Sequence, residues 1–310
     1  MRIIRDYQYV DARDRGASAA IGNFDGVHLG HRSVIEMARE AAPSAPLGVV
    51  TFEPHPREFF VPDAPPFRLM GSRARAHRLE KLGVQRLYEL NFNASMAGLT
   101  PRAFAEQVLF NGLGLRHVVI GSDFCFGKGR SGNAGDLQRF GAEMGFDVTV
   151  APLVAQSERT ISSTAIRNAL SDARPRDAAA MLGHWHRIEG PVIGGEQRGR
   201  TLGYPTANMS IAGLHPPAFG VYAVLVDVLE GPHRGTYRAV ASMGVRPMFD
   251  GERPNLETFI FDFKGDLYGT QLSVALVDYL RPEMKFDGLP ALIAQMDADS
   301  ARAREILADT

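Results

Sequence analysis

Between residues 22 and 31 the chain reads Gly-Asn-Phe-Asp-Gly-Val-His-Leu-Gly-His. The apolar stretch Ala19-Ala20-Ile21 precedes it, and Val34, Ile35, Met37 and Ala38 follow on the apolar side of a helical pattern. This spacing predicts a strand that breaks at glycine and opens a helix. Such a junction offers free backbone N–H groups, and the helix dipole favours negative charge there. His28 and His31 are spaced to share one face of the helix's first turn. These are parts for gripping a polyphosphate. Zinc is the competing use of two histidines, but the chain has a single cysteine, Cys125, and no H-E-x-x-H motif, so the companion ligands are missing.

A chain of 310 residues is long enough for two domains. Hydrophobic residues make up 45% and charged ones 22%, the balance of an ordinary soluble protein. No apolar run approaches the ~20 residues that span a bilayer. The N-terminus carries no secretory pattern, and one cysteine cannot form an intrachain disulfide, so a cytoplasmic protein is expected. Net charge is −1, and no basic stripe favours nucleic acid. Positive charge for a phosphate ligand must therefore be local. Arginine clusters at 73 to 78 and 198 to 200 are candidates, although a charge run is usually a solvated face. Cys125 reads as a small buried hydrophobe.

From residue 18 to about 170 strands and helices alternate. Apolar runs at 18–24, 47–53, 86–92, 117–122 and 147–154 read as strands, with helical stretches near 31–41, 72–82, 101–113 and 135–145. Thr100-Pro101 supplies a helix start, as N-cap and first-turn proline. Alternation implies a parallel sheet with crossover helices, which puts residues 22–31 at a carboxyl strand end, where open α/β sheets bind ligands. A short helix through Ala178–Leu182 and then Gly183 suggests a domain joint. Beyond it, runs at 186–193, 219–229, 236–243, 256–263 and 271–280 read as strands, with a helical pattern only at about 287–308. Five or six strands without helices between them suggest a small antiparallel barrel closed by a C-terminal helix.

In the second half, Gly190, Gly194, Gly195, Gly199 and Gly203 would let backbone approach phosphate. Pro205-Thr206-Ala207-Asn208 follows; in a strand Thr206 and Asn208 face one side and jointly offer oxygen to a hard cation such as Mg²⁺. A plain turn is the alternative for this tetrapeptide. Ser162-Ser163-Thr164 reads as a helix N-cap or a phosphate contact, Arg167 as a surface residue or a phosphate ligand, and His55 as a rigid loop residue or a chemical group.

His28-Leu29-Gly30-His31 resembles the signature of the HxGH nucleotidyltransferases. The longer run from Gly22 is similar to the N-terminal half of bacterial bifunctional riboflavin kinase/FAD synthetases. Thr51-Phe52-Glu53-Pro54-His55-Pro56, Gly121 to Gly127 and Ile161 to Arg167 extend the resemblance; in the second half Gly190–Met209, Leu256-Glu257-Thr258, Asp266–Gly269 and Arg281–Phe286 do so. The resemblance covers about residues 18 to 286.

It implies an α/β fold: a Rossmann-like HxGH nucleotidyltransferase domain with a parallel sheet at 1–182, then a six-stranded antiparallel β-barrel riboflavin-kinase domain with a C-terminal helix at 183–310. It implies ATP-dependent phosphorylation of riboflavin to FMN, then adenylylation of FMN to FAD with release of pyrophosphate, both with Mg²⁺. Under that resemblance His28, His31 and Arg167 act on the triphosphate, and Glu257 is the kinase base. Gly22, Phe24, Gly26, Gly30, Ser163, Thr164, Gly195, Gly199 and Arg200 contact nucleotide or phosphate. Asn23, Asp123 and Arg281 contact flavin, and Thr206 and Asn208 hold the metal. Departures fall at Ser242-Met243-Gly244, Pro247-Met248-Phe249, Phe259, Gly194 and His184-Trp185. Two other readings are a chain that keeps only one activity, and a flavin-binding regulator without turnover.

Overall fold

The computed structural model describes residues 1–152, 155–156, 159–194, 203–248 and 251–310; at 155–156, 159–160, 246–248 and 251–253 it describes the backbone alone. The chain divides into two units, Met1–Ala64 with Arg75–Ile161, and Pro65–Ala74 with Ser162–Thr310.

Six parallel strands form the sheet of the first unit: β1 (Arg2–Ile4), β2 (Ser18–Ile21), β3 (Leu47–Glu53), β4 (Arg86–Asn91), β5 (His117–Gly121) and β6 (Asp147–Ala151). Their order is β1-β4-β3-β2-β5-β6. Strand order therefore runs one way from β2 through β3 to β4 and the other way through β5 to β6. The reversal opens a crevice at the carboxyl end of β2. The helices are α1 (Leu29–Ala41), α2 (Pro56–Phe60), α3 (Ser72–Lys81), the short α4 (Ala94–Ala97), α5 (Pro101–Ala103) and α6 (Ala134–Met144).

Every residue of β2 is buried, as expected for a central parallel strand. Thr100 caps α5 by accepting from the Ala103 N–H at 3.2 Å. The predicted helix at 101–113 then widens into a π-helix over Phe104–Gly112. Three features differ from the sequence reading. β1 was not foreseen, because three residues with two exposed carry no periodic signal. Cys125 is half-buried rather than buried. Within the arginine run at 73 to 78, Arg75 is only 3% exposed and is not part of a solvated face.

After the small ribbon β7 (Ala155–Gln156) and β8 (Arg159–Thr160) come α7 (Ser163–Ser171) and α8 (Pro175–Leu182). Both helices fall in the second unit. Leu69, Ile166, Ala169, Leu170, Ala178 and Leu182 form a closed apolar cluster there. Arg176 pairs with Asp278 at 2.9 Å, tying α8 to the barrel.

The barrel strands are β9 (His186–Pro191), β10 (Ala207–Ser210), β11 (Gly220–Val228), β12 (Gly235–Met248), β13 (Gly251–Ile260) and β14 (Gln271–Arg281), antiparallel in the order β10-β13-β12-β11-β14-β9. The ladder closes where Ile193, just beyond β9, donates its N–H to the Asn208 carbonyl at 2.8 Å. Alternation sorts the residues. Tyr222, Val224 and Val226 face an interior shared with Met209, Leu256, Val274 and Leu276. Val221, Ala223, Val240 and Val277 face outward and are covered by Ala303 and Leu307 at the end of α9 (Leu289–Ile306).

Leu182→Ala should lower stability by about 2–5 kcal/mol, because Leu182 is fully buried in the α7–α8 cluster. Urea unfolding followed by the fluorescence of Trp185, the single tryptophan, measures this. A midpoint equal to wild type would contradict the packing described.

Candidate active sites

The first unit holds one cluster of the residues singled out above, and the second unit holds two. In the first, the loop from β2 to α1 begins with Gly22, whose N–H donates to the Val50 carbonyl at 3.1 Å. Thr51 Oγ1 donates to the Asn23 carbonyl at 3.2 Å. The backbone then takes positive φ at Phe24 (52°), Gly26 (86°) and Val27 (43°). Glycine tolerates this, whereas phenylalanine and valine adopt it only where surroundings impose it. Phe24 and Val27 are buried at 1% and 0% exposure, so packing holds the turn.

His28 is the N-cap of α1, its Nδ1 accepting from the His31 N–H at 3.2 Å. The two imidazoles stack with centroids 3.6 Å apart. Gly30 permits this: a Cβ there would lie 3.2 Å from the His28 ring. Because Nδ1 accepts, the neutral His28 carries its proton on Nε2, which becomes a donor for an incoming ligand. Burial lowers the His28 pKa to about 4. Burial, and then the neighbouring His28, hold His31 well below its ordinary value. Both rings are neutral at pH 7. Their site is set to gain positive charge only when an anion arrives.

Asp123 lies on the neighbouring loop after β5, exposed. His55 proves to be a helix cap: its Nδ1 accepts from the Arg57 N–H at 3.0 Å, and Glu58 closes a capping box. Ser162 Oγ caps α7 by accepting from the Ala165 N–H at 3.2 Å. On the same helix Arg167 donates to Thr164 Oγ1 at 3.0 Å and to the Phe67 carbonyl at 3.4 Å, so it is a braced group and not a free surface residue. Ser163, Thr164 and Arg167 thus gather on one helix start in the second unit.

The barrel brings Thr206, Asn208 and Glu257 together. Asn208 stands opposite Glu257 across the β10–β13 pair, and Glu257 stands opposite Ser242 across β13–β12. Directly opposed residues share a face, so Asn208, Glu257 and Ser242 form a row across three strands. Asn208 Nδ2 reaches the Thr206 carbonyl at 3.3 Å, and Asn208 Oδ1 accepts from Asn255 Nδ2 at 3.1 Å.

Two cavities meet at Thr206. One, of about 640 Å³, is lined by Asn208, Thr206, Thr258 and the segment Phe263–Tyr268. The other, of about 680 Å³, is lined by Thr206, Glu257, Ser242, Phe259, Arg281 and the start of α9. Tyr204 packs on Phe259 with centroids 4.7 Å apart. Arg281 binds both oxygens of Asp299 at 2.7–3.0 Å and fixes α9 over the second cavity. The departures Ser242 and Phe259 therefore line a cavity wall, and Gly194 faces open space. Gly195, Gly199 and Arg200 lie outside the described residues.

The FAD synthetase family model matches residues 10–165, and the riboflavin kinase family model matches residues 182–307. The bifunctional riboflavin kinase/FMN adenylyltransferase of Pseudomonas fluorescens is 40% identical over 99% of this chain and 98% of its own length. This chain belongs to the bifunctional riboflavin kinase/FMN adenylyltransferase family. The enzyme of that name from Escherichia coli K12 is 38% identical, covering 98% of this chain and 97% of its own. A crystal structure from Streptococcus pneumoniae superposes with a TM-score of 0.84 at 33% identity over 98% of each chain. That protein is named as a macrolide-efflux protein, whereas none of the described helices of this family member is long and apolar enough to cross a membrane.

The stacked histidines predict acid sensitivity. A histidine held near pKa 4 in the fold titrates near 6.5 when unfolded, so its contribution is complete above about pH 6.5 and is lost as pH falls toward 4. His28→Asn keeps the cap and removes the titration. Between pH 7.5 and 5.0, wild type should lose more stability toward urea than His28→Asn. Equal losses would show that His28 is not held neutral.

Proposed function

We propose that the barrel transfers the γ-phosphoryl group of ATP to riboflavin, and that the α/β unit transfers the AMP moiety of a second ATP to the FMN so formed. The catalytic halves are residues 1–182 and 183–310, and both work in the cytoplasm with Mg²⁺. The observation that carries the reading is the row Asn208–Glu257–Ser242 beside Thr206, where a carboxylate meets two oxygen donors between two cavities.

The two transfers make different demands. Riboflavin's terminal hydroxyl is a weak nucleophile and must lose its proton as it attacks phosphorus and ADP leaves. Glu257 is the base for that step. The cavity containing Asn208 takes the nucleotide, and the one containing Phe259 and Arg281 takes the flavin. Thr206 Oγ1 and Asn208 Oδ1 are hard neutral oxygens, which suit Mg²⁺ that keeps waters and phosphate oxygens as its other ligands. Thr258 Oγ1, on the opposite face of β13 from Glu257, is buried in the cavity wall with no hydrogen-bond partner among the described residues. The ion would offset charge on the phosphates. Gly195, Gly199 and Arg200 are assigned to the nucleotide by their motif.

FMN already presents an anionic oxygen, so its attack on the α-phosphorus needs no base. Pyrophosphate leaves, and the barrier is electrostatic. His28 Nε2–H, the backbone of the loop that Gly22 opens, from Asn23 through Gly26, and Gly30 at the α1 start are the donors proposed in the first unit. Phe24 shapes the turn. Asn23 and Asp123 are assigned to the flavin, and Ser163, Thr164 and Arg167 to phosphate by their motif.

Paired variants test the division of labour. Glu257→Gln should lower riboflavin phosphorylation by about 10²–10⁴-fold, while FAD formation from supplied FMN persists. The double variant His28→Ala, His31→Ala should do the reverse, since losing one transition-state donor commonly costs about 10²–10³-fold. Separate assays of FMN and FAD read both. If either variant lost the two activities equally while folded, the assignment to separate sites would fail.

A further inference from the structure

Behind the phosphate loop lies a buried charge network that the proposed mechanism leaves unused. Arg75, on α3, is 3% exposed. Its Nη2 donates to Glu53 Oε2 at 2.9 Å and to Glu89 Oε2 at 3.0 Å. Its Nη1 donates to the Asn23 carbonyl at 3.4 Å. Glu53 ends β3, Glu89 sits in β4 at 3% exposure, and Arg5 also reaches Glu89, through Nε at 3.3 Å.

We infer that Arg75 is a positioning residue for adenylyl transfer, holding the β2–α1 loop in the shape that presents its N–H groups and His28 to ATP. This rests on the assignment of that loop to ATP. The loop carries three positive φ values within four residues, and such conformations persist only where neighbours over-determine them. Its entry is fixed by three bonds: Gly22 N–H to Val50, Thr51 Oγ1 to the Asn23 carbonyl, and Arg75 Nη1 to that same carbonyl. Val50 and Thr51 belong to β3 itself, whereas Arg75 comes from α3 and ties the loop to the Glu53 and Glu89 side chains of β3 and β4. A planar guanidinium reaches two carboxylates and a carbonyl at once; an ammonium is a point charge that lacks this fork. Arg75 also lies between two neighbouring carboxylates, one of them buried, and offsets their mutual repulsion.

The test uses the full chain with Arg75→Lys, Arg75→Ala and Glu53→Gln, the last a partly exposed position that keeps an acceptor oxygen. Thermal melts establish that each variant is folded. Arg75→Lys should lower kcat/KM for FAD formation from FMN and ATP at least tenfold. Glu53→Gln should lower it severalfold, with riboflavin phosphorylation by the same molecules within twofold of wild type. Millimolar guanidinium, but not equal ammonium, should restore part of the activity of Arg75→Ala, an effect that a merely destabilised fold does not give. The inference is overturned if folded Arg75→Lys and Glu53→Gln both make FAD within twofold of wild type, or if guanidinium and ammonium act alike on Arg75→Ala. Wild type that makes no FAD from FMN would instead overturn the assignment on which this rests.

Discussion

Hydrogen bonding between neighbouring strands positions the reacting groups in both units. In the α/β unit the pairing of β2 with β3 on one side and β5 on the other creates the reversal of strand order. The Gly22–His28 loop emerges there and nowhere else. In the barrel the antiparallel pairing of β13 with β10 and β12 brings Asn208, Glu257 and Ser242 into one row from segments up to 49 residues apart in sequence. A one-residue slip in either pair would turn Glu257 to the opposite face and dismantle the site. The rest of each site, the stacked histidines and the α9 cover over the second cavity, is built on those ladders.

The electrostatic design differs between the two units as their chemistry does. In the first unit the two imidazoles are stacked, buried and neutral, so they cost little to keep near one another. Charge in the second is arranged permanently: Arg281 is locked to Asp299, and Glu257 keeps a half-buried place in the wall of the second cavity. An enzyme of two successive transfers needs both, since the first nucleophile must be deprotonated and the second is already an anion.

Much of this was legible in the sequence because the informative residues are local. Residues 22–31 span one strand end and one helix start, so their spacing alone reveals the turn, and β2 to β5 are mostly buried apolar runs, with β6 only partly buried. Barrel strands β9 and β11–β14 read from their apolar content, and the Thr206–Asn208 pair from its two-residue spacing. What stayed hidden depends on contacts between distant segments. β1 is held by its pairing with β4 and by the Arg2–Asp14 ion pair at 2.7 Å, contacts with segments distant in sequence. Arg75 sits in a run that looks like a solvated helix face, and only burial against Glu53 and Glu89 separates it from Arg73. His55 is a cap because Glu58 folds back to it, which two flanking prolines do not announce. The stacking of His28 on His31 requires the N-cap geometry, which spacing suggests but does not supply.

The central claim is that one chain carries out two ordered transfers at two sites. The direct measurement is a time course of the unaltered protein with riboflavin, Mg²⁺ and excess ATP, with flavins, ADP and pyrophosphate quantified together. FMN should rise first with equimolar ADP, then fall as FAD accumulates with equimolar pyrophosphate. A reaction that stops at FMN, or that forms no FMN from riboflavin, would contradict the account.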